Sequence, residues 1–97
     1  MHIIALRALR EFWIKHPQAE APLRSWYTAT SHANWRMPVD IKAAHPTASF
    51  LVNNRVVFNI KGNTYRLMVA VRYTSGILWI RFIGTHAEYD RIDATTI

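Results

Sequence analysis

The sequence predicts an α+β fold, in which an antiparallel β-sheet meander carries two N-terminal helices packed on one face. Over residues 55–83, three runs rich in β-branched and aromatic residues are separated by the turn signals Gly62-Asn63 and Thr74-Ser75-Gly76. Such signals mark tight hairpins between antiparallel strands. Over residues 5–27, apolar side chains recur instead at helical spacing, which is typical of helices that pack on a core.

The N-terminal third contains a short apolar stretch followed by the two helices. Residues 2–4 can form a strand at the edge or in the centre of the sheet. The first helix ends at His16-Pro17, because a residue before proline is pushed out of the helical region. The second helix begins near residue 18 or 19 and tolerates Pro22 because that residue lies in its first turn. We expect the two helices to form a hairpin over the sheet.

The middle of the chain is predicted to contain a loop, a short third helix and an extended segment. The loop covers residues 31–37, and the helix covers residues 38–44 and is ended by His45-Pro46. Residues 47–51 then lead into the meander. A helical turn follows the last strand and carries three polar side chains, His86, Tyr89 and Asp90. We expect the tail beyond this turn to be partly frayed.

The two faces of the predicted meander differ in chemistry, since successive side chains on a strand point to opposite faces. One face is apolar and comprises Val56, Phe58, Ile60, Leu67, Val69, Val71, Leu78, Ile80 and Phe82. The other collects Arg55, Asn59, Lys61, Arg66, Arg72, Trp79 and Arg81. This second face is either the solvated side of a half-buried sheet or a functional surface. The chain has no acidic residue between Asp40 and Glu88, and a merely solvated face normally mixes both signs of charge. We therefore interpret it as functional.

Composition limits the class of protein. The 97 residues fit one domain, residues 1–97, with a modest core, and a hydrophobic content of 51% indicates a globular chain. The absence of cysteine excludes a disulfide framework, thiolate catalysis and cysteine-ligated zinc. No signal peptide and no apolar run of membrane-spanning length is present, so we expect a cytoplasmic protein that does not enter a membrane. The net charge of +6 favours an anionic partner, nucleic acid first and an acidic protein second.

The acidic residues and histidines do not favour metal chemistry. Only three of the six acidic residues lie close together in sequence, and no two of the five histidines have the i, i+4 spacing of a helical zinc pair. We therefore expect neither a metal site nor a small-molecule cofactor. What remains is metal-free acid–base chemistry on a phosphodiester. In RNA, the 2′-hydroxyl can attack its own phosphate when one group removes its proton, another protonates the leaving oxygen, and cations stabilise the developing charge.

The chain places such groups in one neighbourhood. His86, Tyr89 and Asp90 stand at i, i+3 and i+4 on the helical turn and so share a face. His86 can act as base or acid, and Tyr89 can donate the other proton or stack on a base. Arg66 and Arg81, together with Lys61, would hold the phosphate. Purely structural roles are the alternative: a capping histidine, a packing tyrosine ring and a salt bridge from Asp90.

Several motifs resemble those of the HigB toxin family, which belongs to the RelE-like superfamily of toxin–antitoxin systems. The motifs are LREFW, KHP, NNRVVFNIKGNTYRL and IRFIGTHAEYDRID, with GTHAEYD the most specific, and the resemblance covers essentially the whole chain. It implies a RelE-like, microbial-ribonuclease-like sheet with helices on one face. It further implies metal-independent cleavage of translated mRNA in the decoding site of the 70S ribosome, and neutralisation by a HigA-type antitoxin carrying a helix-turn-helix.

The resemblance also suggests roles for individual residues. Those that fall where the superfamily keeps catalytic groups are Lys61, Arg66, Arg81, His86 and Tyr89. Those expected to bind RNA beside them are Arg55, Asn59, Arg72, Trp79 and Asp90. Which residue is base and which is acid stays open. Two other classes of function also stay open: a non-catalytic RNA- or ribosome-binding module that stacks bases on Trp79 and Tyr89, and a protein-interaction domain for an acidic segment.

Overall fold

The computed structural model describes residues 1–94 and 96–97, and these form five strands and four α-helices in one mixed α+β arrangement. A short 3-10 helix, Pro17–Ala19, joins the first two α-helices. In chain order the elements are β1 His2–Ile4, α1 Leu6–Lys15, α2 Glu20–His32, α3 Pro38–Ala44, β2 Ser49–Leu51, β3 Arg55–Ile60, β4 Tyr65–Arg72, β5 Ile77–Thr85 and α4 His86–Asp90. The α+β class and every predicted helix are thus confirmed.

The sheet has the strand order β1-β5-β4-β3-β2. The antiparallel meander β3-β4-β5 is confirmed, and β2 extends it by a further antiparallel pairing to β3. β1, however, runs parallel to β5, with His2 opposite Ile77, so the sheet is mixed and not wholly antiparallel. Hairpin signals are local in sequence, and they contain no information about a pairing between residues this far apart in the chain.

The helices pack on one face of the sheet, as expected from their apolar stripes. Leu9 of α1 and Leu23 of α2 are fully buried against the sheet residues Phe58 and Leu67. Trp26 meets the Phe58 ring edge-on, with 5.4 Å between the ring centroids. Burial of large apolar side chains is the main stabilising contribution to such a core. The opposite face of the sheet, called the outer face below, is not part of this core, although its central residues Val57 and Met68 are also buried.

A β-bulge in β5 changes which residues lie on the outer face. Met68 pairs with Phe82 and Val69 with Ile80, so Arg81 has no partner on β4. The extra residue reverses the alternation beyond it. Phe82 therefore shares the outer face with Arg66 and Met68, while Ile83 packs against the core beneath the helices. The prediction that Phe82 belongs to the apolar face is wrong, since it assumed an unbroken strand.

Gly84 makes room for the displaced ring. A Cβ atom at Gly84 would lie 2.6 Å from Cζ of Phe82 and 3.1 Å from Oε1 of Glu88. Those separations are shorter than van der Waals contact, so the backbone at this position must be glycine for the Phe82 ring to lie over it. Gly84 also faces Arg66 across the β4–β5 ladder, which places this close packing directly beside the outer-face arginine.

We predict that Gly84→Ala destabilises the protein by about 1–3 kcal/mol, because the added methyl overlaps the Phe82 ring. Chemical denaturation of purified variants measures the change. The matched test repeats the substitution in a Phe82→Leu background, where the smaller side chain relieves the overlap and the cost of Gly84→Ala falls. An equal cost in both backgrounds would show that the Phe82 ring is not what demands glycine.

Candidate active site

Helix α4 is held at the end of β5 by a capping box. Thr85 Oγ1 accepts a hydrogen bond from the backbone N–H of Glu88 at 3.2 Å, and Glu88 Oε1 accepts one from the backbone N–H of Thr85 at 2.8 Å. The backbone N–H of His86 donates to the carbonyl oxygen of Thr64, in the β3–β4 turn, at 3.3 Å. These contacts start the helix at a defined residue and fix its rotation, so that its first residue lies over the sheet.

A chain of three polar side chains runs from β4 through α4. Nη2 of Arg66 lies 3.0 Å from Nε2 of His86, and Nδ1 of His86 lies 3.1 Å from Oδ2 of Asp90. A guanidinium has no acceptor atom, so Nε2 must be the acceptor in the first contact. The proton of the neutral ring is then on Nδ1, the nitrogen that faces Asp90. The neighbours of His86 thereby select one tautomer, with the lone pair of Nε2 directed at Arg66.

Tyr89 and Phe82 form an aromatic wall beside this chain. The guanidinium carbon of Arg66 lies 5.1 Å from the centroid of the Tyr89 ring, within cation–π distance. The rings of Phe82 and Tyr89 lie 6.2 Å apart, inclined at 56°. Phe82 is the site residue that our sequence reasoning missed. The available signal was Gly84, because an isolated glycine in a strand marks a bulge or a close approach.

Arg66 retains hydrogen-bonding capacity that the described part of the chain does not use. Its Nε atom is buried and has no hydrogen-bond partner there. Asn59 lies directly across the β3–β4 ladder, and its amide nitrogen is taken by the carbonyl oxygen of Thr47 at 3.4 Å. A guanidinium with unsatisfied donors beside an imidazole lone pair is an arrangement suited to an oxyanion such as phosphate.

The remaining predicted residues are distributed around this cluster, and Lys61 points away from it. Strand β3 ends at Ile60, and Lys61 has φ 54°, which breaks the alternation on which its assignment to the outer face depended. Its Nζ donates to Oε1 of Gln18 at 2.8 Å. Arg81, at the bulge, is exposed and makes no hydrogen bond or ion pair with any described residue. It is therefore free to turn towards a ligand.

Three other predicted RNA-binding residues lie farther along the outer face, around Ala70. Arg55 and Trp79 both pair with Ala70, and the Arg72 guanidinium lies 5.8 Å from the Trp79 ring centroid. Arg55 is already engaged, since its Nε donates to the main-chain oxygen of Ile97 at 2.8 Å. The outer face thus divides into a polar cluster at α4 and a separate basic and aromatic group, which are too far apart to act on one bond.

The tail beyond α4 makes several main-chain hydrogen bonds. The backbone N–H of Ile92 donates to Tyr89 at 3.2 Å, and that of Thr96 donates to Asp93 at 3.1 Å. With the Arg55 contact to Ile97, residues 91–93, 96 and 97 each take part in a main-chain hydrogen bond, and the fraying of the tail stays a prediction. Thr95, which also belongs to the predicted tail, lies outside the described residues.

Two further findings apply to residues 1–94 and 96–97, the part of the chain that the structure describes. No three histidine, aspartate or glutamate side chains among them are grouped closely enough to hold a metal ion. No helix among them combines the length and the apolar character that crossing a membrane requires.

Comparison with known proteins gives consistent results. Residues 19–92 match the family model HigB_toxin, described as the RelE-like toxic component of a toxin-antitoxin system. The chain is similar to the mRNA interferase toxin HigB of Escherichia coli strain K12, with 30% identity over 93% of this chain and 88% of that protein. It is similar to the mRNA interferase HigB of Escherichia coli O6:H1, with 27% identity over 95% of this chain and 91% of that protein.

The capping box predicts a pH dependence. The backbone hydrogen bond to Thr85 lowers the pKa of Glu88 from its ordinary value of 4.5. A lowered folded-state pKa means that the carboxylate stabilises the fold above its unfolded-state pKa, and that this stabilisation is lost as the pH falls through the folded-state pKa. Glu88→Gln should therefore be less stable than the wild type above pH 4.5, and the difference should shrink as the pH falls below that value. Denaturation over a pH series that spans this value measures it. A difference that is independent of pH would contradict a role for the charge.

Proposed function

The chain belongs to the HigB toxin family of RelE-like toxins from toxin–antitoxin systems, and on that premise we propose that it is an mRNA interferase, an endoribonuclease that cleaves messenger RNA. The observation that carries this proposal is the Arg66–His86–Asp90 chain with Tyr89 beside it. It supplies an imidazole lone pair, a carboxylate that orients the ring, a cation and a phenol at one end of the outer face. Family membership makes RNA the substrate to which this chemistry is applied.

The proposed reaction is an internal transfer at phosphorus. The 2′-oxygen of the ribose forms a bond to the adjacent phosphorus, and the bond from that phosphorus to the 5′-oxygen of the next nucleotide breaks. The products are a 2′,3′-cyclic phosphate and a 5′-hydroxyl end. One proton leaves the 2′-hydroxyl and one joins the 5′-oxygen, so no water, metal or oxidant is consumed. The step needs a base, an acid and stabilisation of the charge on the non-bridging oxygens.

His86 is proposed as the base that removes the 2′-proton. In the neutral ring, the contact with Arg66 leaves the lone pair on Nε2 and the proton on Nδ1, the nitrogen that faces Asp90. Asp90, which the sequence suggested as an RNA contact, is instead proposed as a positioning residue that holds this tautomer and stabilises the imidazolium that forms. The Nε2 lone pair faces Arg66 in the free protein. A phosphate group competes for the same guanidinium, so substrate binding is proposed to release Nε2 for the proton.

Arg66, Arg81 and Tyr89 complete the proposed catalytic set. Arg66 would move from His86 to the non-bridging oxygens, where a charge-assisted, two-pronged contact is available to a guanidinium. Arg81 at the bulge is exposed and would add a second cation. The Tyr89 hydroxyl would protonate the leaving oxygen, or its ring would stack on a base. Lys61 is proposed to bind RNA and to take no part in catalysis, because its amino group contacts Gln18.

The substrate is proposed to be mRNA held in the decoding site of the 70S ribosome. The outer face has few free cations, because Arg55 is bonded to Ile97 and Arg72 lies over Trp79. A surface of this kind binds a long, flexible strand weakly at physiological salt. A ribosome that holds one short segment of the mRNA in a fixed and unstacked form makes it unnecessary for the protein to bind the rest of the strand.

The partner is proposed to be a HigA-type antitoxin with a helix-turn-helix, acting in the cytoplasm. An antitoxin would inhibit by covering the basic outer face, by distorting it, or by making a complex too large for the decoding site. The first of these depends on charge, since Arg66 and Arg81 would face acidic residues of the partner. Membership in a family of toxin–antitoxin components supports an antitoxin partner in general.

The proposal predicts how individual substitutions affect cleavage of one message on programmed ribosomes, using toxin stripped of metal. His86→Ala should bind ribosomes normally but lower the single-turnover rate by roughly 10²–10⁴, the usual contribution of a general base. Asp90→Asn should lower the rate, because the imidazolium that forms during the reaction loses the carboxylate that faces its Nδ1. Tyr89→Phe keeps the ring and deletes the hydroxyl, so a large loss identifies proton transfer and a small one identifies stacking.

His32→Ala is the matched control, since it removes an exposed histidine on α2 without touching the outer face.

Naked message should be cut far more slowly than the same message on ribosomes. If His86→Ala cleaves like the wild type once bound, the assignment of α4 to catalysis is wrong. If the wild type binds ribosomes and cuts nothing, a non-catalytic binding module replaces the proposed enzyme. Loss of cleavage on metal stripping, with intact ribosomes, would contradict metal-independence.

A further inference from the structure

A cleft separate from the Arg66–His86–Asp90 chain lies between α2 and the edge of β3. Strand β2 pairs only with residues 55–57 of β3, so the edge of β3 beyond that point has no strand neighbour. The cleft occupies this gap and has a volume of about 250 Å³. Six of the residues that line it are Ser25, Trp26, Ala29, His45, Asn59 and Lys61. Its volume is several times the roughly 30 Å³ that one water molecule occupies.

Two lining residues have buried polar atoms without a partner among the described residues. They are the indole nitrogen Nε1 of Trp26, a residue only 4% exposed, and the amide oxygen Oδ1 of Asn59. Leaving a buried donor or acceptor unpaired costs about 1–3 kcal/mol each, so such atoms are uncommon without a functional reason. One is a donor and the other an acceptor, and both belong to residues that line the cleft.

The other polar groups of the cleft suit a nucleotide. Lys61 brings an ammonium group, held at 2.8 Å from Oε1 of Gln18. Burial lowers the pKa of His45, so this ring is neutral near neutral pH and offers both a donor and an acceptor. Ser25 and Ala29 are exposed residues of α2 at the mouth. The cleft thus has apolar and aromatic walls, two lining residues with unpaired polar atoms buried behind its surface, and one cation.

Asn59 connects the cleft to the candidate active site. It lies directly opposite Arg66 on the β3–β4 ladder, where opposed residues have Cβ atoms about 4.5–5.5 Å apart. A strand of RNA whose phosphate lies on Arg66 therefore passes within one nucleotide of the cleft. Sequence-specific recognition of RNA usually acts on single, unstacked bases, which are held in pockets by their hydrogen-bonding edges.

We propose that this cleft binds one unstacked nucleobase next to the cleaved phosphate and sets the base preference of the enzyme. His45 and Lys61, which line the cleft, contact the base and the flanking phosphate, and side-chain adjustment on binding brings the buried Oδ1 of Asn59 and Nε1 of Trp26 within reach of the base. The proposal depends on the proposed function, since it takes RNA as the substrate. A free nucleotide has the same chemistry, and the experiment below distinguishes the two sources.

The first arm of the test measures binding without cleavage. Adenosine, guanosine, cytidine and uridine 5′-monophosphates are titrated separately into ¹⁵N-labelled protein, and the four indole N–H signals are followed, with Trp26→Phe identifying that of Trp26. At least one nucleotide should shift the Trp26 signal. Ala29→Phe and Ser25→Phe, which fill the mouth from α2, should abolish the shift. Ile14→Phe, at a position on α1 that is 74% exposed, should leave it unchanged.

The second arm maps cleavage sites on ribosome-bound messages. Wild type and Ile14→Phe should share one base preference next to the cut, and both mouth variants should lose it by roughly tenfold to a hundredfold. Thermal unfolding confirms that the compared variants are folded. A shifted Trp26 signal with unchanged cleavage maps would overturn the assignment to the message and leave a site for free nucleotides. No shift with any nucleotide would overturn the cleft as a base site. Absence of cleavage by the wild type instead refutes the proposed function, and the titration still tests the cleft.

Discussion

The hydrogen bond from Arg66 to His86 is the contact on which the candidate active site depends. It joins the central strand β4 to the helix α4, and it spans 3.0 Å between Nη2 and Nε2. Because a guanidinium can only donate, this single contact fixes the tautomer of the neutral imidazole and directs its lone pair at the guanidinium that is proposed to bind phosphate. Asp90 lies on the other side of the ring, where its carboxylate faces Nδ1 and favours the same tautomer.

Features of the fold that look minor bring these side chains together. The bulge at Arg81 turns Phe82 to the outer face, and Gly84, which pairs with Arg66, leaves room for the Phe82 ring. The capping box of Thr85 and Glu88 then starts α4 at once, so that the next residue, His86, reaches Arg66. A bulge that re-aims a side chain next to a functional site is a recurring device of β-sheets.

Sequence reasoning found the hairpins, the helices and the grouping of His86, Tyr89 and Asp90, because each depends on spacing within a few residues. It could not find the parallel pairing of β1 with β5, which joins distant parts of the chain. It misplaced Phe82 because strict alternation holds only in an unbroken strand, and it extended that alternation to Lys61, one residue beyond the end of β3. The link from Asp90 to His86 followed from helical spacing, but its role depends on Arg66, which no local pattern connects to either residue.

The tautomer of His86 tests this account most directly. Long-range ¹H–¹⁵N correlation spectra of the free protein, recorded where the imidazole is neutral, distinguish a protonated ring nitrogen from a bare one. The account predicts a protonated Nδ1 and an unprotonated Nε2 for His86 in the wild type. In both Arg66→Ala and Asp90→Ala, the two tautomers should be more equally populated. A protonated Nε2 in the wild type, or a ring that averages between both forms, would contradict the proposed readiness of His86 to accept the 2′-proton.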